Sequence, residues 1–168
     1  TSNKDYEHGT VTASEGIDPT WDAGVVTKTY AIGDYVWIDD NRDGVQDEDE
    51  EPLKDVTVEL YTVDSEGNPS ERPVDSTTTD ENGRYIFDEL EAGDYQVRFI
   101  LTDEQAETYV FTHEEVGDDV IVDSDAGSDG RSGIITLGKD NAFLTADEQY
   151  EFNEVKATEG IDPTWDAG

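Results

Sequence analysis

Residues 39–50 read DDNRDGVQDEDE, with carboxylates at Asp39, Asp40, Asp43, Asp47, Glu48, Asp49 and Glu50. So many like charges on one short stretch repel unless water solvates them or a cation sits among them. The order of side chains fits a twelve-position calcium loop throughout. Asp39, Asn41 and Asp43 fall at positions 1, 3 and 5, Gly44 at 6 where the chain must turn sharply, and Asp47 at 9. Val45 offers its backbone carbonyl at position 7, and Glu50 closes the loop at 12 with both carboxylate oxygens. In a tightly wound loop, alternate side chains converge on one centre, and calcium accepts about six to eight hard oxygens there. A solvated acidic loop is the competing reading, because the whole chain is acidic. Asn41, Gly44 and Glu50 all falling in register favours the ion.

A second acidic stretch, VGDDVIVDSDAGSDG at 116–130, repeats the D-x-D spacing at Asp123 and Asp125, with Asp118 and Asp119 close by. It lacks a twelve-residue loop, so side chains from elsewhere must complete any site; Asp34, Asp40, Asp80 and Asp166 are candidates. The expected metal ligands are therefore Asp39, Asn41, Asp43, Val45, Asp47 and Glu50 for one calcium ion. Asp118, Asp119, Asp123 and Asp125 would serve one or two more.

The elements that must position these groups read as β throughout. VTVELYTV (56–63) and YQVRFI (95–100) alternate apolar and polar residues, the period of a half-buried strand. Further strands are expected at 25–38, 76–80, 84–87, 108–112, 134–137 and 150–157, separated by turn sequences such as DSEGNP (64–69), DENG (80–83) and EAGD (91–94). A helix is suggested only at 145–149. Seven or eight short strands at this spacing predict an all-β, antiparallel sandwich of the immunoglobulin-like type.

The chain repeats itself: YEHGTVTASEGIDPTWDAG (6–24) matches YEFNEVKATEGIDPTWDAG (150–168) at fourteen of nineteen positions, with a constant offset of 144. This implies a tandem array in which residues 25–168 form one β-sandwich unit and residues 1–24 are the tail of, or linker from, the preceding one. Starting at Thr1, the sequence reads as a piece of something longer. Trp21 and Trp165 then lie at the joint between units, while Trp37 belongs to a strand.

Composition narrows the function. Forty-four acidic residues against ten basic ones give a net charge of −34, which disfavours nucleic acid and anionic membranes as partners. Eight Tyr, five Phe and three Trp argue for a folded core. There is no cysteine, and no apolar run of membrane-spanning length. The two histidines, His8 and His113, stand in no nucleophile or zinc motif, so an enzyme is not expected.

Residues 32–61, 79–99 and 109–137, with the closing Asp166-Ala167-Gly168, resemble the B repeats of serine–aspartate-repeat surface adhesins, a family related to the B domains of collagen adhesins. The resemblance implies a calcium-stabilised Ig-like sandwich at the cell surface, linking a ligand-binding region to the cell wall. It carries loop ligands onto Asp39, Asn41, Asp43, Asp47 and Glu50, and a second acidic region onto Asp118, Asp119, Asp123 and Asp125. The unit departs from the usual pattern by its added EGIDPTW segment before Asp166. The expected role is an extracellular, cell-surface stalk spacer whose partners are neighbouring repeats of the same polypeptide, and other copies if it forms a fibre by strand addition. Two other roles compete with it: a ligand-binding module using the tryptophans, and a fibre unit cross-linked between Lys28 and Asn153.

Overall fold

The computed structural model describes residues 23–112, 122–145 and 155–168. Its centre is the antiparallel pair β4 (Thr57–Val63) and β7 (Gly93–Ile100), where Val58 faces Phe99 and Leu60 faces Val97. Their alternation does what the sequence pattern requires: Val58, Leu60, Val97 and Phe99 are all but fully buried. β5 (Asp75–Thr78) and β8 (Ile135–Leu137) flank this pair, giving the sheet order β5-β4-β7-β8. A second sheet has the order β6-β1-β9, from β1 (Tyr30–Tyr35), β6 (Arg84–Leu90) and β9 (Ile161–Asp162). The inner faces meet in one core, where Tyr85 packs edge-on against Phe99 with ring centroids 5.5 Å apart. The expected all-β Ig-like sandwich is the fold the chain adopts, antiparallel in every strand pairing but one among the described residues.

That exception sets the polarity of the domain. β1 and β9 run parallel, Ala31 beside Ile161 and Ile32 beside Asp162, and the pairing resumes as a bridge between Val36 and Ala167. β1 and the segment that runs to Gly168 therefore travel the same way, side by side in one sheet. Tyr30 and Gly168 lie at opposite ends of this pairing, a run of about 20 Å at the rise of an extended strand.

β2 (Trp37–Ile38) pairs with β3 (Glu51–Pro52) as a two-residue ribbon, Trp37 opposite Pro52, so residues 39–50 form the loop of a hairpin. Several expectations are corrected. Residues 25–28 are exposed, Thr29 is half-buried, and none of them carries a strand. Residues 108–112 form none either, because a capping box between Thr102 and Gln105 starts a short helix, α1 (Asp103–Ala106). The amides of Thr108 and Tyr109 both turn back to the Gln105 carbonyl, which removes them from any ladder. Residues 155–157 are not strand, and the rest of 150–157, like 146–149 of the expected helix, lies outside the described residues. Trp165, expected at a joint, packs against the unit's own core, and its carbonyl accepts the Tyr85 hydroxyl at 2.6 Å. No helix among the described residues is long and apolar enough to cross a membrane.

Candidate metal centre

The hairpin loop is wound around its own side-chain oxygens. Asp39 Oδ1 accepts the amides of Arg42 (2.6 Å) and Asp43 (3.2 Å), while Oδ2 accepts the Gly44 amide at 3.0 Å and the Thr112 hydroxyl at 2.6 Å. Asn41 Oδ1 accepts the Asp43 amide, and Asp43 Oδ1 accepts the Val45 amide. At the far end Glu50 accepts the amides of Asp40 and Asp47, both at 3.0 Å. The Asn41 side-chain amide donates to Asp43 and Asp47, each at 2.9 Å, and so bridges two carboxylates. Backbone shape matches: Gly44 has φ +79° and Arg42 φ +62°, left-handed turns that let the chain curl this tightly.

Electrostatics at Asp39 show which force wins. Burial by itself would raise its carboxyl, but the Thr112 hydroxyl and the amides of Gly44, Arg42 and Asp43 hold it below the usual carboxylate range. Asp39 is thus kept ionised at the head of the loop.

The loop is also tied to the second acidic stretch. Gly44 and Val122 carbonyls accept the amides of Ser124 (2.9 Å) and Gln46 (2.7 Å), and Val45 bridges to Asp123 in antiparallel fashion. Asp123 is buried, and Asp125 Oδ2 accepts the Asp166 amide at 3.1 Å. Asp166 is completely buried; its Oδ1 accepts the Tyr35 amide at 3.3 Å and its Oδ2 has no hydrogen-bond partner among the described residues. Burial, with the charges of Asp34 and Asp125 close by, pushes the Asp166 carboxyl well up, and burial raises Asp34 to about 7.

The fold thus brings Asp39, Asn41, Asp43, Val45, Asp47 and Glu50 into one loop and sets Asp123 and Asp125 directly behind it. Asp118 and Asp119 lie outside the described residues, as do Trp21 and Asn153. Asp34 and Asp166 join the second cluster; Asp80 instead caps its own turn by accepting the amides of Asn82 and Arg84. Among the described residues no three His, Asp or Glu side chains are gathered tightly enough to grip an ion as they stand. Two of the six loop positions are an amide and a backbone carbonyl, and the carboxylates lie on the loop's own N–H groups. The donor set is hard oxygen throughout, which suits calcium and excludes soft-ligand metals. Sequence reasoning missed Thr112, whose hydroxyl reaches the loop from outside; nothing in a strand-like TYVFT announces it. Lys28, placed in a cross-link by one expectation, makes an ion pair with Glu159 at 2.6 Å.

Residues 30–150 match the family model described as the SdrD B-like domain. The chain is 40% identical over 141 residues to serine-aspartate repeat-containing protein F of Staphylococcus epidermidis, covering 84% of this chain and 7% of that protein. It is 46% identical over 99 residues to serine-aspartate repeat-containing protein I of Staphylococcus saprophyticus, covering 58% and 5% respectively. With serine-aspartate repeat-containing protein E of Staphylococcus aureus it shares 39% over 132 residues, 78% of this chain and 10% of that one. The chain therefore spans a tenth or less of the length of these relatives. Among solved structures, the minor pilin of Streptococcus agalactiae aligns at 18% identity and a TM-score of 0.35, over 69% of this chain and 42% of that one.

Proposed function

The chain belongs to the SdrD B-like domain family, and on that premise we propose that it is a calcium-stapled spacer repeat in the stalk of an extracellular, cell-surface adhesin. The observation that carries this reading is the parallel pairing of β1 with the closing segment. A unit entered at one pole and left at the other adds its full length to a tandem chain. One whose termini met at the same pole would fold the chain back on itself.

Calcium supplies the stiffness in this reading. An ion held by Asp39, Asn41, Asp43, the Val45 carbonyl, Asp47 and Glu50 would lock the β2–β3 hairpin. The hydrogen bonds from Thr112, Ser124 and Gln46 would pass that rigidity to two further segments. A second ion is assigned to Asp123 and Asp125 with Asp34 and Asp166, where burial otherwise favours the protonated forms of Asp34 and Asp166. Free calcium at a hundred times its dissociation constant adds about 2.7 kcal/mol per site, substantial beside a total domain stability of about 5–15 kcal/mol. The role needs no catalytic group. Trp37 is buried in the core region and offers no open face for stacking a sugar, which weighs against the ligand-binding alternative.

Small-angle scattering and thermal melts of the chain, in calcium and then in excess chelator, test the proposal. A narrow, elongated particle that swells and melts earlier on chelation is expected. Superimposable curves in the two buffers would overturn the calcium staple.

A further inference from the structure

At the exit pole, next to the loop, a groove of about 780 Å³ opens between Trp37, Leu53, Leu101, Tyr109, Val110 and Phe111. Gly168 forms part of its wall. The Gly168 amide donates to Ser124 Oγ at 3.2 Å, and its carbonyl accepts the Thr112 amide at 2.9 Å. A Cβ at this position would stand 2.8 Å from Trp37 Cζ2 and 2.9 Å from Thr112 Cγ2, so the backbone lies directly on the indole with no room for a side chain. Trp37 is 1% exposed, yet its Nε1–H, bonded to the Cε2 that also touches the Gly168 position, has no acceptor among the described residues. Val110, on the groove's lip, is 85% exposed.

The internal repeat identifies the residues that come after Gly168 in a tandem array, because the first copy of Asp-Ala-Gly (22–24) runs directly into Val25 and Val26. In this chain those two valines are 97% and 81% exposed, an adjacent apolar pair at the entry pole that no described residue covers. Their counterparts one and two residues beyond Gly168 would lie within about 7 Å of it, whatever path the backbone takes. A joint this short makes docking intramolecular and raises the effective concentration accordingly. We propose that the groove is a socket for the Val25-Val26 segment of the next repeat, whose apolar side chains would cover the exposed lip at Val110. The inference rests on the tandem-spacer reading and adds how successive units are held in line. The joint is a built contact, with the acidic loop on its rim through Asp39 and Asp40.

The test is the 168-residue chain extended at Gly168 by a second copy of residues 25–168, studied in calcium by amide hydrogen exchange. The first copy's Val25 and Val26, which follow residues 1–24 and not a complete repeat, serve as the internal reference. Burial of one valine corresponds to about a tenfold shift in an opening equilibrium, so the joint valine amides should exchange at least about tenfold more slowly than the reference pair. Val110→Asp in the first unit, or Val26→Asp in the second copy, should abolish that difference while leaving the melting of the single chain unchanged, since both side chains are exposed in it. Equal exchange at the two valine pairs, or protection that survives Val110→Asp, would overturn the socket. So would protection that disappears on dilution, which would mean docking between separate molecules. Scattering from the same sample separates the two claims: an extended particle with unprotected valines removes the socket and leaves the spacer. Two independently tumbling units remove both.

Discussion

Asp39→Ala is the sharpest perturbation of the loop, because Asp39 has two separable roles there. In the absence of calcium it accepts the Thr112 hydroxyl and three backbone amides. The Arg42 and Asp43 amides are exposed and can turn to water, so their loss costs little. The Thr112 bond is half-buried and made to a charged acceptor, worth about 1.5–3 kcal/mol. At about 2–4 °C per kcal/mol for a domain of this size, the variant should melt about 3–12 °C below the parent in chelator. With calcium the parent should gain about 2.7 kcal/mol at a hundredfold excess over the dissociation constant, which the same scaling turns into about 5–11 °C. Asp39→Ala removes the ligand at position 1 and should lose most of that gain. Asp40→Ala, which removes an identical charge from the neighbouring position, should keep it. Scanning calorimetry of the three proteins, with and without calcium, gives both increments. If Asp39→Ala retained the parent's calcium increment, or if Asp40→Ala lost as much, the loop would not be the site and its register would be a coincidence of composition.

The buried polar groups carry two further predictions. Thr79 is 3% exposed; its hydroxyl accepts the Val56 amide at 3.0 Å and donates to the Leu53 carbonyl at 2.8 Å. Thr79→Val should therefore cost about 2–3 kcal/mol, read as a lower denaturant midpoint with an unchanged slope; a loss under half of that would mean water replaces the hydroxyl. The second concerns pH. Burial raises Asp34 to about 7 and Asp166 well above the ordinary 3.8, so the folded state holds these protons more tightly than the unfolded chain. Their contribution to stability is complete below about pH 4 and is lost as pH climbs toward about 7. In chelator the melting temperature should accordingly fall across that window, and Asp34→Asn should flatten the fall. An identical slope in Asp34→Asn would assign the effect to the general charge of −34 instead.

The alternation in 56–63 and 95–100 made β4 and β7 legible, because which face of a strand is buried depends only on backbone geometry and side-chain type. The register of Asp39, Asn41, Asp43, Gly44, Asp47 and Glu50 was legible for a similar reason: the closure of the loop uses contacts within twelve positions. The internal repeat could likewise be read directly, since identity at a fixed offset needs no structure to be seen. Contacts between distant segments stayed hidden. Ile161–Asp162 is too short to carry a period, and only its place beside β1 makes it a strand. Thr112 reaches Asp39 across 73 positions, and Asp166 is buried beside Tyr35 and Asp125 from the far end of the chain. Local patterning thus determined the long alternating strands β4 and β7 and the acidic loop. Tertiary packing decided that β1 and the closing segment run parallel, because strand direction and pairing partner are settled only when distant apolar faces find a common core.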